Sequence, residues 1–302
     1  MAKETTSKNY LSGREIRAIA RANNKEIKRL EAYKNRKAPE SEFTTQMKDP
    51  ENILEIEDLH TFFYTEQGVV KAVNGVSYNV PKNAVVGVVG ESGCGKSVTS
   101  MSVMRLIQGP SGQIVDGSIR FKSKDFVKDS HGKPVLDADG SIKTEEKVYD
   151  LAMMPIREIH RVRGKQIAMI FQEPMTSLNP VFTIGQQLDE VTLLHVPGAT
   201  KAMAKAKSEE MLRLVGIIPE NVYGAFPHEL SGGMRQRVMI AIALACSPEL
   251  IVCTFFPCIL PQWKIHPFLL ILLRYTPRKI FSFQMVPKRL IHHMAYNGYL
   301  PP

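Results

Sequence analysis

The sequence has few cysteines, no secretory leader pattern and no acidic residue after position 249. Its four cysteines are too few and too scattered for a disulfide scaffold, and they form no paired CxxC motifs. The start MAKETTSKNY lacks the basic, apolar and small-residue regions of a signal peptide, so we expect a chain that stays in the reducing cytosol. At 302 residues and 44% apolar composition, the chain can bury a large core, which excludes intrinsic disorder.

The basic residues concentrate at the two ends of the chain. Residues 1–37 hold 11 Lys and Arg against 4 acids, and residues 250–302 hold 6 against none. The stretch between them has 22 basic and 26 acidic residues, although the net charge of the whole chain is +9. We therefore expect no nucleic acid among the partners of the central body. The remote alternative, a nucleic-acid binder that uses the basic ends, predicts strongly salt-dependent DNA affinity.

Residues 1–50 are interpreted as a basic N-terminal extension and linker. Residues 12–37 have the apolar spacing of a basic amphipathic helix, which could touch acidic lipid or a partner. A solvated extension without stable structure is the alternative. The stretch from Pro39 to Pro50 is interpreted as the linker to the next domain.

Strand and helix patterns alternate from residue 53 onward. The apolar run from Val85 to Val89 predicts a strand buried in a parallel sheet, and the polar stretch 122–148 is interpreted as a surface insertion. Further strands are predicted at 119–121 and 167–171, and helices near 97–108 and at 184–195, 201–215 and 233–246. This order predicts an α/β fold with a helical subdomain at about 173–240.

A phosphate-binding loop follows the apolar run. The pattern GxxxxGK[ST] is met, between a predicted strand and a predicted helix, by Gly90, Glu91, Ser92, Gly93, Cys94, Gly95, Lys96 and Ser97. Glycines let main-chain N–H groups face the phosphates, Lys96 reaches the β and γ phosphates, and the Ser97 hydroxyl can ligate Mg²⁺. The loop predicts ATP and Mg²⁺ as ligands, but it is shared by kinases, GTPases, helicases and transport ATPases.

A second motif, LSGGMRQR, decides between these classes. It contains Leu230, Ser231, Gly232, Gly233, Met234, Arg235 and Gln236. A serine and two glycines at a helix start present hydroxyl and N–H groups to an anion. The two motifs together resemble those of ATP-binding cassette (ABC) ATPases. The resemblance implies that this signature contacts the γ-phosphate held by a second cassette, so that ATP joins two subunits.

The resemblance also implies roles for a glutamine and for an aromatic residue. Gln172, at the end of the predicted strand 167–171, resembles the Q-loop glutamine, which approaches Mg²⁺ and the attacking water and senses the membrane partner. Tyr64 is the candidate for stacking on adenine, with Phe62 or Phe63 as alternatives. Aromatics in β-rich segments are more often part of a core, which is the competing interpretation.

The residues within and around these motifs point to one group of ABC ATPases. The stretches GESGCGKS, RGKQIAMIFQEPMTSLNP, IGQQL and FPHELSGGMRQRVMIAIALACSPELI resemble the ATPase subunits of bacterial oligopeptide and dipeptide importers. This implies an ABC ATP-binding domain over residues 51–252, a P-loop core with an antiparallel β subdomain and a helical subdomain. It also implies a peripheral ATPase on the cytoplasmic face of the membrane. The implied partners are a second ATPase subunit, identical or related, membrane-spanning permease subunits and, indirectly, an extracellular peptide-binding protein.

The resemblance ends after residue 252. An importer ATPase continues with a strand ending in Asp-Glu, a PTTALD-like stretch, and a later strand followed by a switch histidine. Here Thr254 and Phe255 stand at about the two carboxylate positions. Phenylalanine cannot accept a proton from water, and threonine is a poor substitute for a carboxylate near a divalent cation. His266, His292 and His293 follow no apolar strand of the expected kind, so none is assigned the switch role.

We hypothesise that the coding sequence lost its frame near residue 250. Residues 253–302 would then be an aberrant tail, and the C-terminal part of the fold would be incomplete. The hypothesis is wrong if the neighbouring reading frame restores no Asp-Glu followed by a PTTALD-like stretch. It leaves open an alternative function, a cassette that binds ATP without hydrolysing it.

Overall fold

The computed structural model describes residues 11–127, 129, 134–137, 142–171, 177–254 and, for the backbone alone, 280–285. Its helices are α1 (Gly13–Lys34), α2 (Lys96–Val103), α3 (Ile184–His195), α4 (Lys201–Leu214), α5 (Pro219–Val222) and α6 (Gly232–Leu244). Its strands are β1 (Thr44–Thr45), β2 (Asn52–Thr65), β3 (Gly68–Pro81), β4 (Val85–Gly90), β5 (Gly112–Phe126), β6 (Thr144–Asp150), β7 (Ile167–Ile170), β8 (Leu250–Cys253) and β9 (Ile280–Met285). Short 3₁₀ helices lie at Glu40–Glu42, Ile159–Arg161 and Pro227–Glu229.

Five strands form an antiparallel sheet in the order β1-β6-β5-β2-β3. One face of this sheet is apolar because large side chains alternate with polar ones along its strands. Leu54, Ile56, Ile119, Phe121 and Tyr149 are fully buried there. The predicted antiparallel β subdomain is confirmed.

The second sheet is parallel, in the order β4-β9-β8-β7. The carboxyl ends of its strands therefore meet at one edge, where ligands of open α/β sheets bind. The prediction that Val85–Val89 is buried is wrong in part, since Val85 and Val89 are 46% and 43% exposed. Within the described residues β4 pairs with β9 alone, so it lies at the rim of the sheet rather than in its middle.

The strand β9 lies within residues 253–302, the stretch interpreted as an aberrant tail. Its backbone pairs with β4 on one side and with β8 on the other. An apolar hexapeptide from the tail can take this place because parallel pairing needs only an extended backbone between two strands. The candidate histidines 266, 292 and 293 lie outside the described residues.

The helices α3 to α6 pack with β7 and β8 around a separate apolar cluster that includes Ile170, Leu188, Leu212 and Val238. Helices are predicted at the places of α3, α4 and α6, and α3 covers the predicted residues 184–195, whereas the short helix α5 is not predicted. Polar contacts join the helices as well, because the hydroxyls of Ser208 and Tyr223 both donate to the carboxylate of Asp189 at 2.6 Å. The helical part of the predicted α/β fold is confirmed.

Residues 13–34 of the N-terminal extension form a helix rather than a solvated coil. Ser12 caps α1 by accepting from the main-chain N–H of Glu15, whose carboxylate accepts in turn from Ser12. Leu30 is buried against the sheet, and the amide of Gln113 donates to Glu31 at 2.6 Å. These contacts attach α1 to β5.

The stretch interpreted as a linker also belongs to the folded body. Phe43 is buried in the core beside Tyr149, and β1 pairs with β6. Burial disfavours the charged carboxylate of Glu40, but hydrogen bonds from Lys147 and Arg161 outweigh that cost and lower its pKa to about 2. Residues 40–45 are therefore part of the antiparallel sheet and its edge, which the interpretation as a linker missed.

The ends of the polar stretch 122–148 are strands rather than a surface insertion. Residues of β5 up to Phe126 pair with β6 from Thr144 onward. The side chain of Gln166 binds the main chain of Lys124 twice, at 2.6 and 2.7 Å, and the Tyr149 hydroxyl donates to Asp125 at 2.5 Å. These strands look like loop in the sequence because their polar side chains have polar partners within the protein.

Candidate nucleotide-binding site

The phosphate loop connects β4 to α2 at the carboxyl edge of the parallel sheet. Gly93 and Gly95 have φ of 81° and 92°, in the left-handed region where a side chain is disfavoured. A Cβ on Gly95 would also lie 2.3 Å from the carbonyl oxygen of Ala72. The loop therefore packs directly on β3, and its main-chain path requires the glycines that the motif predicts.

The side chain of Lys96 lies across this loop. Its Nζ donates to the carbonyl oxygens of Gly90 and Glu91 at 2.8 and 2.5 Å. A Cβ on Gly90 would lie 2.8 Å from the Cys94 Sγ and 3.8 Å from the Lys96 Nζ, so the space beside the lysine depends on Gly90. The positive charge is held at the place where the motif predicts the β and γ phosphates.

The surface of the loop is open to a ligand. Glu91, Ser92, Gly93 and Cys94 are exposed, and so is Ser97 in the first turn of α2. The helix N-terminus favours an anion, and the Ser97 hydroxyl offers an oxygen of the kind that Mg²⁺ prefers. The residues present therefore fit a nucleoside triphosphate with Mg²⁺.

The neighbouring strands β7 and β8 end at the same edge. The main-chain N–H and the hydroxyl of Thr254 both donate to the carbonyl oxygen of Ile170, at 3.1 and 3.2 Å. Thr254 thus adds a neutral hydroxyl, already bonded to the main chain, where the resemblance expects a carboxylate. The predicted Mg²⁺ and water contact Gln172 lies outside the described residues, as does Phe255.

The signature residues open α6 as predicted. Ser231 caps the helix, its hydroxyl accepting from the N–H of Met234 at 3.3 Å. Ser231, Gly232 and Gly233 are exposed, whereas Leu230 is buried and fixes the turn to the helical cluster. Met234, Arg235 and Gln236 follow in the first turns and are half-buried. The capping hydroxyl can still donate its own hydrogen, so the exposed turn can receive an anion from a second molecule.

The three aromatic candidates have different surroundings. Tyr64 is half-buried on β2, and burial followed by the nearby charge of Glu26 raises its pKa. Phe62 pairs with Lys71, the residue before Ala72, and the Lys71 ammonium lies 5.5 Å from its ring centre. Phe63 lies over Gly112 of β5. Only Phe62 is placed by strand register next to the part of β3 that contacts the phosphate loop, while Tyr64 faces α1.

One contact near the site had no signal in the sequence. The side chain of Asn23 on α1 donates to the carbonyl oxygen of Thr65 at 2.9 Å. It joins the N-terminal helix to the turn that follows Tyr64. A bond from a side chain to a main-chain atom 42 positions away leaves no pattern in residue types.

A glycine loop between strand and helix, at the carboxyl edge of a parallel sheet and flanked by an antiparallel sheet and a helical unit, defines a P-loop nucleotide-binding cassette. Residues 73–253, more than half of the chain, match the family model described as ABC transporter. The chain belongs to this family.

Relatives of known type give a more detailed comparison. The chain is 43% identical over 201 residues to a probable peptide ABC transporter ATP-binding protein of Sinorhizobium fredii, covering 66% of this chain and 52% of the relative. It is 41% identical over 201 residues to the oligopeptide transport ATP-binding protein AppD of Bacillus subtilis, with coverage of 66% and 53%. The dipeptide transport ATP-binding protein DppD of the same species is 41% identical over 203 residues, with coverage of 67% and 53%. The chain thus spans about half the length of the curated relatives it matches.

Solved structures support the fold. The dimeric structure of a post-hydrolysis state of the ATP-binding cassette MJ0796 bound to ADP and Pi has a TM-score of 0.57 and 19% identity, covering 78% of this chain and 89% of that one. This likeness establishes the cassette fold alone. Among the described residues, no helix combines the length and the apolar character that crossing a bilayer requires.

Proposed function

We propose that this chain is the ATP-binding subunit of a bacterial ABC importer for oligopeptides or dipeptides. The observation that carries the proposal is the phosphate loop, with Lys96 held over the carbonyl oxygens of Gly90 and Glu91. The substrate class rests on the relatives described above, which are ATP-binding proteins of peptide, oligopeptide and dipeptide transport.

Several groups of the phosphate loop would bind the nucleotide. Main-chain N–H groups of the segment from Gly93 to Ser97 would bind the phosphates, and Lys96 would exchange its carbonyl partners for phosphate oxygens. The Ser97 hydroxyl, together with Gln172, would hold Mg²⁺, which supplies neutralisation of the charge on the transferred phosphoryl group. An aromatic ring of β2 would stack on the adenine. Tyr64 is the candidate from the sequence, with Phe62 and Phe63 as the others, and strand register places Phe62 nearest the phosphate loop.

The signature supports a second cassette as partner. Ser231, Gly232 and Gly233 form an exposed turn at a helix N-terminus. The strand and the helix that flank the phosphate loop pack on a different apolar cluster from the one that holds Leu230. An anion held by one subunit can therefore meet the signature of another. Beyond this pair we propose membrane-spanning permease subunits, an extracellular peptide-binding protein as indirect partner, and a position on the cytoplasmic face of the membrane.

A second candidate function is a cassette that binds ATP but does not hydrolyse it. The observation that favours it is Thr254, whose hydroxyl is bonded to Ile170, followed in sequence by Phe255. A phenyl ring cannot accept a proton from the attacking water, and a neutral hydroxyl is a poor substitute for a carboxylate near Mg²⁺. In this case the chain would serve as a passive partner of an active cassette.

One pair of measurements tests both candidates. ATP binding with Mg²⁺ is titrated on the folded chain, and phosphate release is followed on the same preparation. Binding with turnover supports a hydrolysing subunit, whereas binding without turnover supports the second candidate and removes the first. A folded chain with no affinity for ATP and Mg²⁺ would contradict the whole proposal.

A further inference from the structure

Five basic residues form one stripe along α1. Arg14, Arg17, Arg21, Lys25 and Lys28 follow one another at intervals of three or four residues, which places them on one face of a helix. All five are exposed. At a rise of about 1.5 Å per residue, the stripe is about 21 Å long. We call it the basic stripe.

The opposite face of α1 is already used by the protein. Leu30 is buried against the antiparallel sheet, and Ile19 and Ile27 are half-buried. Asn23 binds the main chain of Thr65, so the middle of the helix is attached as well as its end. Most of the apolar face is therefore occupied by the protein itself, although Ile16 near the start of the helix remains exposed.

The acids of α1 have partners away from the stripe. Glu15 completes the capping box with Ser12, and Glu26 binds Arg29 at 2.5 Å. Glu31 accepts from Gln113 and Lys34. The helix's own carboxylates are thus engaged elsewhere, and the positive charge of the stripe faces outward on a body whose central residues are net acidic.

We propose that the basic stripe docks this face of the protein on the anionic lipid headgroups of a membrane surface. A straight row of five cations can meet a flat anionic surface at all points together, and basic residues close to such a surface are attracted strongly. Nucleic acid is a poorer match, because single-strand binders stack bases on aromatic side chains and the segment 14–28 contains none. The choice of a lipid surface rests on the proposed function in transport.

This contact differs from that of an ordinary interfacial helix. Such helices insert an apolar face among the acyl chains, whereas α1 has most of its apolar face on the protein. Its attachment to a bilayer is therefore mainly electrostatic, reversible, and weakened as salt shortens the range of charge interactions. It adds a contact between cassette and membrane that is independent of nucleotide.

The test is co-sedimentation of the full chain with vesicles, without nucleotide. Vesicles of phosphatidylcholine with one-third phosphatidylglycerol are compared with vesicles of phosphatidylcholine alone. The stripe variant is Arg17→Gln, Arg21→Gln and Lys25→Gln, since glutamine keeps the helix propensity. The matched control is Lys143→Gln, Arg157→Gln and Lys201→Gln, which removes the same charge from three exposed residues elsewhere.

We expect binding to the anionic vesicles only, unchanged in the control and weakened at least about tenfold in the stripe variant, because each basic residue near an anionic surface contributes several-fold. Equal binding by the stripe variant and the control would overturn the proposal, as would absence of binding by the wild-type chain. Tighter binding to duplex DNA that the stripe variant loses would assign the stripe to nucleic acid instead. ATP titration of the same samples reports separately on the proposed function.

Discussion

The phosphate loop at the end of β4 and the turn at the end of β8 share one edge of the parallel sheet. In the loop, Gly95 fits closely against β3 and Lys96 brings a positive charge over the main chain. At the end of β8, Thr254 brings a neutral hydroxyl that is bonded to Ile170. Nucleotide binding and activation of the attacking water therefore depend on different groups, so a cassette can bind ATP without hydrolysing it.

The largest effect is expected under the second candidate function, a cassette that does not hydrolyse ATP. In that case the double substitution Thr254→Asp and Phe255→Glu should raise phosphate release at least about 100-fold over the wild-type chain, since general bases contribute that much or more. Steady-state phosphate release with ATP and Mg²⁺ measures the gain. ATP affinity should stay within a few-fold, and the single substitution Thr254→Asp is the control. Wild-type turnover equal to that of the double variant would show that the end of β8 does not limit hydrolysis, and it would contradict the second candidate function.

Removal of the lysine from the phosphate loop should act on binding itself. Lys96→Ala loses charge-assisted hydrogen bonds worth about 2 kcal/mol, so ATP affinity should fall about 30-fold. Lys201→Ala removes an exposed lysine from α4 and should leave the affinity unchanged. Calorimetric titration measures both. Unchanged affinity in Lys96→Ala, with the melting temperature preserved, would contradict the assignment of the loop.

The signature can be separated from an ordinary helix cap. Ser231 and Thr200 both accept from a main-chain N–H at 3.3 Å at the starts of α6 and α4. Replacing either by alanine should lower the free energy of unfolding by about 1 kcal/mol. Only Ser231→Ala should also weaken the association of two chains induced by ATP, by about tenfold if the lost contact is a hydrogen bond to charge. Sedimentation velocity with ATP and Mg²⁺ measures the association of two chains. Equal association in the two variants would contradict a role of the signature in forming the dimer.

The smallest effect concerns adenine. Tyr64→Ala should lower ATP affinity about fivefold if its ring stacks on the base, since aromatic contacts are worth about 1 kcal/mol. Phe62→Ala is the comparison, because strand register places Phe62 nearer the loop. Titration with ATP and with triphosphate lacking the base separates stacking from a general loss of structure. A larger loss of ATP affinity in Phe62→Ala would transfer the role from Tyr64.

Local patterns predicted much of the fold. The phosphate loop, β7 and the helices α3, α4 and α6 all have strong signals, because an apolar run or a period of 3.6 depends only on nearby residues. The motif residues of the loop were found for the same reason, since their chemistry requires a fixed spacing.

Contacts between distant parts of the chain were missed. Phe43 stands alone in a polar stretch, and only its burial beside Tyr149 makes residues 40–45 part of the body. The strand ends near Lys124 and Asp125 look like loop because Gln166 and Tyr149 satisfy their polar groups. Likewise, no local pattern says that residues 280–285 pair with β4 and β8, since parallel partners lie far away in sequence.

The position of β9 has a mechanical consequence. In the described part of the chain, its six residues form the only strand whose backbone pairs with both β4, which enters the phosphate loop, and β8, which ends at Thr254. This segment lies outside the residues that match the family model, yet it closes the sheet next to the phosphate loop. Deleting residues 280–302 should leave β4 and β8 joined by their shared apolar core alone, even though every residue of the phosphate loop and the signature would still be present.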